Sequence, residues 1–169
     1  FERLTFDLPT RDTLLPLAHW YLGHARRNNE ERLLAAQSFN RLAEQFPNDT
    51  LAEQAMFMAA RSYREMWRRP SLDPQYAILA QAQFRLVMGV FPDSPYADSS
   101  LAGLAELEEW FASKDFETGM HYVRRRAYDS AILYFRDVVT NYPNTDKARQ
   151  AMLQMVRVYR LPALDYQED

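Results

Sequence analysis

Three stretches of the chain repeat one arrangement of small, aromatic and proline positions. They read FNRLAEQFPNDTLA from Phe39, FRLVMGVFPDSPYA from Phe84 and FRDVVTNYPNTDKA from Phe135. An alanine precedes each leading phenylalanine by four residues (Ala35, Ala80, Ala131), which sets the two side chains on one helical face. An aromatic–proline pair follows (Phe46-Pro47, Phe91-Pro92, Tyr142-Pro143), and proline, lacking an N–H, stops the helix. Asp49 or Thr50, Ser94 and Thr145 then supply N-caps, and Pro95 occupies the favoured first helical position. Each copy therefore predicts a helix end, a short turn and a new helix, and a second alanine closes the unit (Ala52, Ala97, Ala148). A small alanine facing a large phenylalanine lets antiparallel helices approach closely. The copies start 45 and 51 residues apart, and helical pairs repeated at such a period predict an all-α solenoid.

Taken in order, residues 1–11 show no clear period, contain Pro9 and read as an extended lead-in. Asp12 can cap a helix to about Asn28, with Leu15, Ala18, Leu22 and Ala25 as its stripe. The partner helix covers 30–46. The next runs from Thr50 to Met66 with Ala52, Ala55, Ala59 and Tyr63 inward. The longer connection WRRPSLDPQ leads to a helix over about 74–91, capped by Asp73. Leu101, Leu104, Leu107 and Phe111 line a helix over 96–112. Ser113-Lys114-Asp115 reads as a break or kink before a helix over 115–125, and Arg126-Ala127 is the turn into a helix over 128–142. A last helix covers 146–160, followed by Pro162 and an acidic tail, and its apolar face (Met152, Met155, Val156, Tyr159) has no partner within the chain. The whole is expected to form one domain over 1–169, of about 3.5 repeats: units 12–47, 50–92 and 95–143 plus the terminal helix.

Composition narrows the function classes. The chain has 169 residues, 47% hydrophobic and 14% aromatic, enough for a packed core. A net charge of −3 argues against a general nucleic-acid binder. The absence of cysteine excludes disulfides, thiolate metal sites and cysteine nucleophiles. The four glycines, at 23, 89, 103 and 119, all lie in helical patterns, so no phosphate-cradling loop is expected, and no apolar run reaches 18 residues. The start at Phe1 reads as that of a trimmed fragment or of a mature domain, so targeting information is expected to be missing.

The spacing matches tetratricopeptide repeats, with Leu22-Gly23, Ala35, Phe39 and Pro47 in one copy and Gly119, Tyr122 and Phe135 in another at the consensus offsets. Within that class, FPDSPYADSSLAGL (91–104) and LEEWFASKDFETGMHYVRRRAYDSAILYFRDVVTNYPNT (107–145) resemble the BamD family of lipoproteins of the outer-membrane β-barrel assembly machine. The connection MWRRPSLDPQYAILAQAQFRLV resembles that family too, so the likeness spans roughly 30–160. It implies four of five repeats, a periplasmic, outer-membrane-associated scaffold of a Gram-negative bacterium, and no cofactor. It also implies protein partners: the barrel-assembly protein's periplasmic domains and unfolded outer-membrane proteins. The membrane would be reached only through a lipid anchor that this chain lacks. The chain departs from the family at Arg126, where a turn glycine is usual, and in having no lipid-accepting cysteine.

Candidate sites follow. His19 and His24 are five residues apart, which does not put two metal ligands on one helical face, and with His121 they read as solvated or capping groups. Glu106, Glu108 and Glu109 read as a solvated face, since nothing beside them suggests a nucleophile. No catalytic constellation is present, and an enzyme is not expected. Arg61, Arg64, Arg68 and Arg69, with Trp67, form a basic-aromatic patch suited either to a helix C-terminus or to an acidic or aromatic partner. Arg124, Arg125 and Arg126 precede Tyr128 at the last turn, and the resemblance places that turn, Arg125 foremost, toward the barrel-assembly partner. By repeat offset, the ligand-facing side of the first helices holds Trp20, His24, Arg27, Gln54, Met58, Arg61, Phe116 and Met120, a mixture suited to a peptide groove or to core. The alternative function is a generic tetratricopeptide adaptor of the cell envelope or a cytosolic co-chaperone.

Overall fold

A computed structural model describes residues 1–7, 9 and 12–165, with side-chain surroundings to residue 160. Among the described residues every regular element is an α-helix: α1 (Glu2–Asp7), α2 (Leu15–Asn28), α3 (Arg32–Gln45), α4 (Ala52–Arg64), α5 (Gln75–Val90), α6 (Pro95–Arg124), α7 (Tyr128–Asn141) and α8 (Asp146–Asp165). The helix pairs α1–α2, α2–α3, α3–α4, α4–α5 and α7–α8, each adjacent in sequence, pack on one another, as in a tetratricopeptide-like solenoid.

The three aromatic–proline pairs end their helices in the same way. Phe46, Phe91 and Tyr142 leave the helix at φ −131°, −127° and −133° with ψ of 59°, 61° and 53°. Each still donates its N–H to the carbonyl four residues back, on Leu42, Val87 and Val138. Their own carbonyls then accept from Asp49, Ser94 and Thr145. The side chains of these three residues cap the next helix. Asp49 Oδ1 accepts from the Leu51 N–H (2.8 Å), Ser94 Oγ from Tyr96 (3.1 Å) and Thr145 Oγ1 from Ala148 (3.1 Å). Each satisfies one of the donors that a helix start leaves without a partner.

Two compact units emerge, one of residues 1–68 and 72–105, the other of residues 69–71 and 106–169. The first is built on Ala35, Phe39, Leu42, Ala52, Ala55, Met58 and Ala59. The second is built on Ala112, Phe116, Ala131, Phe135, Val138, Ala148, Ala151 and Val158. Glycine makes the close approach of helices possible. A Cβ on Gly23 would stand 2.5 Å from the Phe39 ring, and one on Gly119 would stand 2.6 Å from Phe135. Phe39 and Phe135 thus occupy space that a Cβ at Gly23 or Gly119 would need.

Several expectations need correction. Residues 2–7 form α1 rather than an extended lead-in, with Thr5 Oγ1 donating to the Glu2 carbonyl (2.8 Å). No break occurs at Ser113-Lys114-Asp115. That segment holds no glycine or proline, Ala112 and Phe116 are buried on either side of it, and Thr118 Oγ1 bonds the Lys114 carbonyl within a continuous α6. Leu101 is exposed, because the inward line of α6 near it is Ala97, Ser100 and Leu104. Met155 packs on the core of the second unit, while Met152, Val156 and Tyr159 do face outward. α8 also runs through Pro162, at the cost of one backbone donor, to Asp165, and the expected acidic tail lies outside the described residues.

Two turns use left-handed backbone without glycine. Glu30 has φ 65° and Arg126 has φ 58°. Around Arg126 the Ala127 N–H bonds the Tyr122 carbonyl and the Arg126 N–H bonds the Val123 carbonyl, the paired bonds that close a helix with a left-handed residue. The geometry is thus the one glycine favours, held by an arginine. Arg126→Gly is expected to stabilise the protein by about 1 kcal/mol and to raise Tm by about 2–4 °C, measured by thermal unfolding.

Candidate protein-binding surfaces

α2 and α4 come together around one carboxylate. Glu65, just after α4, accepts from Arg27 near the end of α2. Arg32 Nε, at the start of α3, lies 3.4 Å from it, and Arg61 Nη2, one turn earlier on α4, lies 3.8 Å away. Three guanidinium groups thus share one carboxylate. Beside it an open hollow of about 360 Å³ has Glu30, Glu31, Leu33, Leu34, Met66 and Arg68 in its walls together with Arg32 and Glu65. Leu33 and Leu34 are partly exposed apolar floor, and Arg68 is exposed. Its walls carry charges of both signs around an apolar floor, which suits a segment of mixed polar and apolar side chains. Arg32 and Glu65 were not singled out from sequence. The Arg61–Glu65 spacing of four was a legible signal, whereas their meeting with Arg27 and Arg32 requires the helices to be paired first.

The residues expected to form a groove divide. Trp20 and His24 stand one turn apart on α2, edge to face at 4.4 Å, and both rings pack edge-on against Phe39, at 5.5 and 5.2 Å. Arg27, Gln54 and Arg61 keep part of their surface open, on α2 and α4 of the same unit. Met58 and Phe116 are corrected to core. Each is a member of its unit's buried cluster, because the line of the helix that bears it turns inward at that position. Met120 packs against the second core.

Trp67 is also corrected. It is 1% exposed, and its indole N–H donates to the Leu72 carbonyl at 3.3 Å, so it anchors the connection after α4 and offers no face to a partner. Arg64 is half-buried and Arg69 exposed. His19 is neither solvated nor a cap. It is 4% exposed, and burial first, then Arg41 and Arg26, lower its pKa. Burial and Arg27 do the same to His24. Glu109 caps α8, its Oε2 accepting from the Asp146 N–H at 3.1 Å. No group of three or more His, Asp or Glu among the described residues could hold a metal ion, and no helix there is long and apolar enough to cross a membrane.

At the α6–α7 turn Arg124, Arg125 and Arg126 are all exposed, and among the described residues no acidic side chain pairs with them. Tyr128 lies against the second core with part of its surface open. With Arg126, Ala127, Asp129 and Ser130 it lines a hollow of about 380 Å³. Cations there complement the C-terminal end of the α6 dipole, and their guanidinium forks remain free for carboxylates outside the chain.

Comparison with known proteins places the chain in a family. Residues 18–169 match the family model YfiO, described as an outer membrane lipoprotein. The outer membrane protein assembly factor BamD of Vibrio cholerae is 29% identical over 92 residues, 54% of this chain and 38% of that protein. BamD of Rickettsia prowazekii is 26% identical over 110 residues (65% and 44%), and BamD of Haemophilus influenzae is 26% identical over 80 residues (47% and 30%). The chain thus spans less than half the length of these relatives. The repeated Ala–Phe–aromatic–Pro frame and the match over most of its residues make the chain a member of the YfiO family of outer membrane lipoproteins.

Proposed function

We propose that this chain is a non-catalytic, periplasmic scaffold for assembly of outer-membrane β-barrel proteins. Its arginine turn, Arg124 and Arg125 with Tyr128, binds the periplasmic domains of the barrel-assembly protein. Unfolded outer-membrane protein segments lie along the open residues of α2 and α4, Trp20, His24, Arg27, Gln54 and Arg61, with Arg64 and Arg68 drawing acidic side chains. The observation that carries this reading is the exposed arginine triplet, in no salt bridge among the described residues, on a left-handed turn. The three relatives named as outer membrane protein assembly factors support it.

The test is binding of the partner's purified periplasmic domains to this chain, by biolayer interferometry. Arg125→Glu is expected to weaken binding about tenfold or more, roughly 1.4 kcal/mol, and the loss should shrink as salt rises. Arg125 is fully outside the core, so the melting temperature should hold. An unchanged affinity with Arg125→Glu would remove the turn from the interface.

A further inference from the structure

In the first unit α1, α2 and α3 enclose a cavity of about 180 Å³ that neither the core nor the surfaces above account for. Its walls include Arg26, Arg41, His19, Ser38 and Gln37, so it is polar in a region where helix contacts are otherwise apolar. Arg26 is held in place: its Nη1 donates to Ser38 Oγ at 2.8 Å, and that hydroxyl in turn donates to the Leu34 carbonyl at 2.9 Å. The other nitrogen, Nη2, is aimed at a carboxylate, Glu2 Oε1, at 2.7 Å. His19 is buried, yet its Nδ1 has no hydrogen-bond partner. A buried polar atom without a partner beside two guanidinium groups is the state of a site with unused capacity for an anion.

The occupant is weakly held. None of the residues of α1 is buried. Besides the Glu2–Arg26 pair, Phe1 just before it stacks on Tyr21 at 5.5 Å. Two arginines face one acid here, so the cavity keeps an excess positive charge even when Glu2 is docked.

We propose that this cavity is a subsite for an acidic side chain of another polypeptide and that α1 occupies it in cis as a self-ligand, through Glu2. Undocking of α1 then opens Arg26 and His19 beside the already exposed Arg41, and an incoming glutamate or aspartate takes the position of the Glu2 carboxylate. The site is separate from the arginine turn, so failure of either leaves the other standing.

The test uses the chain as it is, with a fluorescein-labelled synthetic peptide of residues 1–7 as probe and anisotropy as readout. The Glu2→Gln chain is expected to bind the peptide about tenfold more tightly than the wild-type chain, the effect of freeing one charge-assisted hydrogen bond. Arg26→Lys in the Glu2→Gln background should reverse that gain, and Arg41→Gln, at an exposed position that cannot disturb the core, should weaken binding too. The same peptide with glutamine in place of its glutamate should bind about tenfold less well. Equal binding by wild-type and Glu2→Gln chains, or indifference to the peptide's carboxylate, would overturn the proposal.

Discussion

Phe39→Ala is expected to lower the free energy of unfolding by about 3–5 kcal/mol, the upper range for emptying a core aromatic site. The ring is fully buried. Gly23 lies directly under it, and the edges of Trp20 and His24 rest against it. Truncation therefore removes the ring's own burial and two aromatic contacts worth about 0.5–1.5 kcal/mol each in pairs of this kind. Collapse cannot refill the space, since the floor is glycine backbone and the walls are rings fixed on α2. Against a total stability of about 5–15 kcal/mol the loss is a large fraction. Urea denaturation is the check: the midpoint should fall sharply with the slope unchanged. A loss under about 1 kcal/mol would mean that the helices close over the gap. That outcome would remove the reason for a glycine at position 23.

Much of the frame was legible because it repeats. One helix end with its cap could be chance, but three copies with the same alanine, phenylalanine, aromatic and proline fix both the element type and its inward face. Phe39, Phe84 and Phe135 fall inside on that pattern alone. What the pattern could not convey was pairing across helices. Met58 and Phe116 sit at offsets that read equally as groove or core, and only the packed partner decides between them. His19 is polar by type and buried by place, through the approach of α3 and the ring of Phe46 at 6.5 Å. Arg32 joins Glu65 from a different helix, at a separation in sequence that no local rule reports. The opposite error came at Ser113-Lys114-Asp115, where three polar residues suggested a turn although nothing in them prevents a helix. The left-handed turn at Arg126 was legible only through the family likeness, since an arginine carries no such signal itself.

Trp67 separates a binding role from a structural one. Its neighbours Arg64 and Arg68 made it a reasonable hot-spot residue, since tryptophan and arginine together dominate interface energetics. Its burial and the bond from its indole N–H to the Leu72 carbonyl assign it instead to holding the connection between α4 and α5. Trp67→Ala is expected to cost about 3–5 kcal/mol of stability, from the cavity and the loss of the indole hydrogen bond. Trp67→Phe keeps most of the apolar body and loses the hydrogen bond, so it should cost about 1–3 kcal/mol. Below the lowered melting temperature, the folded fraction of either variant should hold partner segments as well as the parent chain does, because the indole reaches no partner. Affinity lost in Trp67→Phe at a temperature where circular dichroism shows the chain fully folded would return the residue to the binding surface. Unchanged affinity, with the two stability losses in that order, fixes it as the internal pin of the connection that carries Arg68.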